Sequence, residues 1–225
     1  MLSRDTLHSG AWLESFRGLP AQMLWTRERI EASLERTLAL RPDDGPVWVF
    51  AYGSLMWNPL IHFDRQASAT LHGWHRSFCL HMFAGRACTE RPGRMLALEP
   101  GDSAQGIALR LDPQTMHEEL QLVWTREMVM GSYQPTWASI ALEDGTHAHA
   151  ILFAADPTQP QYAADASVRT VAPLIAAASG PQGTNEDYVF QLEAALAASH
   201  LTDAYIGQLA AEIRRITQRP TAAAA

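Results

Sequence analysis

Apolar and polar positions along the chain change period several times. Over 26–40, Ile30, Leu34 and Leu38 recur every four positions with Glu and Arg between them, the stripe of an amphipathic helix lying on a core. Residues 1–22 show no clean period and carry Gly10, Gly18 and Pro20, so they read as an extension packed on the rest, where function is not expected to start. After the turn residues 41–46, the run Val47, Trp48, Val49, Phe50, Ala51 predicts a strand buried on both faces and stopped at Gly53. Strand-length stretches at 69–83, 94–99 and 105–111 follow, separated by polar segments 84–93 and 100–104 that contain Gly and Pro.

Asp112 and Pro113 predict the cap and first position of a helix running to about Glu127, with Met116, Leu120, Val123 and Trp124 as its apolar members. Two strands, 136–142 and 147–155, are predicted around a turn at 143–145. The last third is helical. A helix over 167–179 ends at Gly180, with Pro173 implying a late start or a kink. Thr184 and Asp187 form a capping-box pair for a helix through Leu192 and Leu196, and Thr202 or Asp203 caps a final one carrying Ile206, Leu209, Ile213 and Ile216. Strands with one central helix, followed by helices, predict an α+β domain rather than a doubly wound sheet. The expected organisation is an extension over 1–45 with one amphipathic helix packed on the same domain, a main domain over 46–217 and a tail over 218–225.

Composition narrows the chemistry. The chain has 17 arginines and no lysine, which excludes Schiff-base and pyridoxal chemistry and a phosphate-loop lysine. A formal charge of -7 and the lack of an arginine cluster argue against nucleic acid as a partner. No apolar run reaches the ~20 residues of a membrane span, and the N-terminus lacks a signal-peptide pattern, so no membrane association and a cytoplasmic location are expected. Cys79 and Cys88 read as free thiols, Cys79 as a core residue.

Two features can carry chemistry. Tyr52, Gly53, Ser54, Leu55, Met56 and Trp57 follow directly from the buried strand, and a glycine there lets backbone N–H groups and a hydroxyl face one concavity, a nest for a carboxylate or carbonyl oxygen. The same residues also suit an ordinary strand-ending turn, and Met56 rules out the G-x-S-x-G elbow of serine hydrolases. Glu127 lies about 20° from Leu120 around the helix, on the apolar stripe, where lost solvation raises a carboxylate pKa toward that of a general acid or base, whereas Glu118 and Glu119 point away. Its alternative is a pair with Arg126 at a frayed helix end. His147 and His149 alternate on one strand without further ligands, so no metal site is expected. Arg86 and Arg91 share the loop 84–93, either gripping a substrate carboxylate or solvated.

Five segments in matching order, Tyr52 to Trp57, Gly73 to Cys79, Arg91 to Arg94, Trp124 to Met128 and Gly180 to Asn185, resemble the ChaC-type γ-glutamylcyclotransferases, the bacterial branch most. The resemblance implies a small mixed β-barrel with flanking helices and glutathione as substrate, cleaved to 5-oxoproline and cysteinylglycine without a cofactor. It implies that the 52–57 loop cradles the substrate and that Glu127 is the catalytic acid and base, with Arg86 and Tyr133 as further contacts. The chain departs from the family at Arg86, Ala87, Cys88 and Thr89, where the family often has Arg-Gly-Thr or Arg-Gly-x-Pro. Other γ-glutamyl amino acids or γ-glutamylamines remain alternative substrates, and a non-catalytic γ-glutamyl-binding module is the alternative of another class.

Overall fold

The computed structural model describes residues 2–16 and 18–218. In chain order the elements are α1 (Arg4–His8), α2 (Arg27–Ala39), β1 (Trp48–Ala51), β2 (Arg65–Met82), β3 (Gly93–Arg110), α3 (Met116–Glu127), β4 (Tyr133–Leu142), β5 (His147–Ala155), α4 (Val168–Ala177), β6 (Ser179–Gly180), β7 (Gly183–Thr184), α5 (Asn185–Ala198) and α6 (Ala204–Thr217). Short 3-10 turns occur at Ala11–Phe16, Ala21–Met23 and Ser54–Met56.

Strands β1 to β5 close into a barrel in the order β1-β3-β2-β4-β5. Its sequential neighbours are antiparallel, and β1 completes the ring parallel to β5, so the barrel is mixed. The continuous apolar run of β1 is explained by burial on both faces: Val49, Phe50 and Ala51 have no exposed surface. Inside lie Phe78, Leu80, Leu98 and Phe153, and Trp124 of α3 packs edge-on against Phe153 with ring centroids 5.1 Å apart. Helix α2 lies outside α3 and β4, fixed by Trp124 Nε1 donating to Ser33 Oγ and Trp137 Nε1 donating to Thr37 O.

The separate strands predicted at 94–99 and 105–111 are one strand. The intervening 100–103 is exposed ladder, in which Pro100 pairs with Trp74 next to a register slip between His72 and Trp74. A proline without an N–H is tolerated at such a bulge, and polar exposed residues there imitate a loop. Helix α3 begins at Met116 rather than at Asp112 and Pro113, because Asp112 Oδ1 accepts from Gln114 N and holds a turn first. Helix α4 runs through Pro173 and ends at Ala178 in extended backbone; Gly180 is not its cap but part of the β6–β7 ribbon. A Cβ on Gly180 would lie 2.4 Å from Gly85 O, so this glycine is required by close approach. The caps Thr26, Thr184 with Asp187, and Asp203 are all formed.

Glu119 differs from expectation most. It does not point to solvent: its side chain is 2% exposed, sealed by α1 through Arg4 at 2.5 and 3.0 Å and by the backbone N–H of His62 at 2.9 Å. Burial pushes this carboxyl up, but the bonds from Arg4 and the His62 N–H outweigh it and hold the pKa below the usual carboxylate value.

Candidate active site

A cavity of about 440 Å³ opens beside the end of α3, within the range of small-molecule sites. Tyr52, Gly53, Ser54, Leu55 and Trp57 line it, together with Glu127, Tyr133 and the stem of Arg86. Met56 is not brought there; its sulfur accepts from Arg76 Nη2 at 3.8 Å.

The chain leaves β1 at Tyr52 and enters the 3-10 turn at Ser54. Gly53 is needed at this point for space, since a Cβ would sit 2.7 Å from Tyr188 Oη and 3.2 Å from Leu96 Cδ2. Close approach alone is enough to demand a glycine here. The turn is gripped from both sides. Ser54 N donates to Tyr188 Oη at 3.2 Å, and Ser54 Oγ accepts from Arg126 Nη2 at 2.6 Å.

Arg126 is the residue that sequence reasoning weighed only as a partner for Glu127. Its Nη1 also donates to Asn58 O at 2.5 Å, and its Nε lies 3.0 Å from Glu127 Oε1, so one buried guanidinium fixes both the turn and the carboxylate. Glu127 is the last residue of α3, 16% exposed and facing the cavity. Burial raises its pKa above the usual carboxylate value, with Arg126 partly opposing. Both of the alternatives open for Glu127 in the sequence therefore hold together: it sits among apolar groups and pairs with Arg126.

The tyrosines are strong structural donors. Tyr52 Oη donates to Phe153 O at 2.5 Å and Tyr133 Oη to Leu96 O at 2.9 Å, which leaves oxygen lone pairs as their remaining hydrogen-bonding capacity. Burial, reinforced for Tyr52 by Glu127, keeps both far from ionisation, and Tyr188 is pushed up to about 12 for the same reasons. Arg86 is committed elsewhere: it donates to Thr184 O and Gln191 Oε1, both at 3.1 Å. Arg91 is exposed, Cys79 is buried and Cys88 half-buried, and both thiols are free. His149 bonds Asp43 and His147 is exposed; among the described residues no cluster has metal-ligand composition. No helix among them is long and apolar enough to cross a membrane.

Sequence reasoning missed Tyr188, His81, Trp12 and Phe16, all of which line the cavity. Tyr188 follows the capping-box residue Asp187, and the cap signal hid it. Trp12 and Phe16 come from the segment in which no function was expected, and their aperiodic pattern is that of a 3-10 turn.

The closed mixed barrel with flanking helices is the fold of the γ-glutamylcyclotransferases. It matches the crystal structure of a γ-glutamyl cyclotransferase specific to glutathione from yeast with a TM-score of 0.69, at 20% identity, over 76% of this chain and 97% of that one. Residues 47–216 match the family model described as ChaC-like protein. The chain is 46% identical over 216 residues to the glutathione-specific γ-glutamylcyclotransferase of Escherichia coli K12, covering 96% of this chain and 94% of the relative. It is 31% identical over 163 residues to glutathione-specific γ-glutamylcyclotransferase 1 of Danio rerio, covering 68% and 83%. The chain belongs to the ChaC-like family.

Proposed function

We propose that this protein is a γ-glutamylcyclotransferase that cleaves glutathione to 5-oxoproline and cysteinylglycine without a cofactor. The observation that carries the reading is a desolvated carboxylate, Glu127, facing a cavity whose adjoining turn is held by Tyr188 and Arg126. In this reaction the substrate's own α-amine attacks its γ-carbonyl and closes a five-membered ring, so the protein supplies no nucleophile and needs no lysine. The bond that forms is from the α-nitrogen to the γ-carbon, and the bond that breaks is the γ-glutamyl amide to cysteine. The attacking nitrogen starts as an ammonium and gives up two protons; the departing nitrogen gains two.

Glu127 is the shuttle. A carboxylate whose pKa is raised by burial takes a proton from the ammonium more readily than an exposed one and returns it to the departing amine. The oxygens of Tyr52 and Tyr133, whose protons are spent on Phe153 O and Leu96 O, offer only lone pairs and suit an ammonium in front of Glu127. The Gly53 to Ser54 nest receives the α-carboxylate or the oxyanion that develops on the γ-carbonyl; a ligand oxygen there competes with Tyr188 Oη for the Ser54 N–H. Leu55 and Trp57 wall the cradle, and Arg86 contributes its stem. Residence in the cytoplasm, where thiols stay reduced, accords with two free cysteines and with this substrate.

The test is incubation of the purified protein with glutathione, γ-glutamyl amino acids and γ-glutamylamines in parallel, with 5-oxoproline measured in each. Release from glutathione together with cysteinylglycine is expected. Absence of 5-oxoproline from all of them leaves only a binding module and overturns the reading.

A further inference from the structure

Part of the cavity wall comes from outside the family core. The family match begins at residue 47, yet Leu2, Trp12 and Phe16 line the cavity. They belong to a strap tied down at three points. Arg4 holds Glu119 near the start of α3, Ser15 Oγ accepts from Gln182 Nε2 at 3.0 Å, and Trp25 N donates to Val129 O at 2.7 Å just past the end of α3. Gln182 in turn donates its backbone N–H to Gly85 O at 2.9 Å, so the strap is joined to the wall formed by 83–86 and 181–182. The reacting groups come from other elements, the end of α3 and the exit of β1.

Trp12 and Phe16 pack edge to face, with centroids 4.6 Å apart at 85°. The indole Nε1 of Trp12 is buried and has no acceptor among the described residues. A buried donor without a partner costs about 1–3 kcal/mol, and native proteins leave few of them. The empty strap is therefore incomplete in one specific respect: it needs an oxygen beside Trp12.

We infer that Trp12 is a specificity-determining residue whose indole N–H is satisfied by the terminal carboxylate of the substrate's dipeptide portion, with the Trp12–Phe16 edge covering that portion. The inference rests on the cyclotransferase reading above. In this assignment the γ-carbonyl sits at Glu127 and the dipeptide portion lies against the strap, whose Leu2, Trp12 and Phe16 line the same cavity. The N–H is covered by protein, so this assignment requires the strap to shift for the carboxylate to seat. A site that presents a donor rejects ligands without an acceptor far better than an apolar site does. The strap thereby favours a peptide carboxylate over shorter γ-glutamyl compounds.

The experiment compares Trp12→Phe with wild type on glutathione and on γ-glutamylcysteine, which lacks the glycine. Phe keeps the ring wall and removes the donor. KM for glutathione is expected to rise roughly tenfold with kcat within about twofold, while KM for γ-glutamylcysteine moves by less than about twofold. Calorimetric binding of glutathione to Glu127→Gln, with and without Trp12→Phe, should show the same loss of affinity without turnover. Ser15→Ala, which unties the strap from Gln182, provides a second variant and should raise KM for glutathione about threefold. Unchanged KM for glutathione in Trp12→Phe, or equal losses on both substrates, overturns the assignment while leaving the cyclotransferase reading intact. A wild-type protein that releases no 5-oxoproline overturns both.

Discussion

Glu119 and Glu127 lie a little over two turns apart on α3, both are withdrawn from water, and their acidities move in opposite directions. Glu119 is enclosed by partners that stay put, Arg4 and the His62 backbone, and its charge is stabilised beyond what burial costs it. Glu127 has one charged partner, Arg126, whose other donors are shared among Ser54 Oγ and the carbonyls of Asn58 and Pro59. The difference shows that burial alone does not set which way a carboxylate's pKa moves. What matters is how much of its hydrogen-bonding capacity the fold leaves open toward a cavity.

The largest effect expected from this contrast is on turnover. Glu127→Gln should lower 5-oxoproline release by at least about a thousandfold with an unchanged circular-dichroism spectrum, since the proton shuttle is removed and the shape kept. Glu119→Ala should instead leave kcat within a few-fold and reduce stability by about 2 kcal/mol at neutral pH, measured by urea unfolding, because Arg4 and the His62 N–H lose a buried acceptor. If Glu119→Ala lost kcat as severely as Glu127→Gln, the division of roles along α3 would be wrong.

Stability against pH separates the pair next. The Glu119 pKa is lowered by folding, so its contribution is present above the ordinary carboxylate pKa and is lost as pH falls through the lowered value. The Glu127 pKa is raised by folding, so ionisation favours the unfolded chain: the penalty grows as pH rises from the ordinary value through the raised one and is constant above it. Relative to wild type, Glu127→Gln should therefore gain stability as pH rises from the ordinary carboxylate value through the raised one, a pH dependence that urea unfolding at several pH values checks. The acid limb of kcat/KM in wild type should lie above the ordinary Glu value of about 4.3. The smallest effect is that of Tyr188→Phe, which releases the Ser54 N–H and should cost about threefold in kcat/KM with little change in the acid limb.

Signals that act within a few residues were legible in the sequence. The stripe containing Glu127, the caps Thr184 and Asp203, and the doubly buried strand at Trp48–Ala51 all follow from local period and side-chain chemistry. Interactions between distant segments were not. Glu119 reads as solvated because the group that buries it is Arg4, 115 residues away in sequence, and Trp12 reads as part of an extension because the cavity it lines is completed by segments distant in the chain. At Gly53 the sequence suggests a turn, whereas the close approach of Tyr188, which also requires a residue without a side chain, is made by a segment 135 residues away. The substrate and the role proposed for Glu127 come from the family resemblance; periodicity only singles the residue out.

Arg76 is fully buried, and it donates to Tyr52 O at 2.7 Å, to Gln105 O at 2.5 Å and to Asp203 Oδ2 at 3.0 Å. Asp203 is also the cap of α6, accepting from Ile206 N through its other oxygen. The exit of β1, where the pocket begins, is thus held by a β2 residue whose counterion comes with the final helix. During synthesis the barrel strands leave the ribosome well before α6, and until that helix docks the buried Arg76 charge lacks its Asp203 counterion. A chain cut short before Asp203 keeps every residue that lines the cavity and loses the counterion of the buried arginine that holds Tyr52.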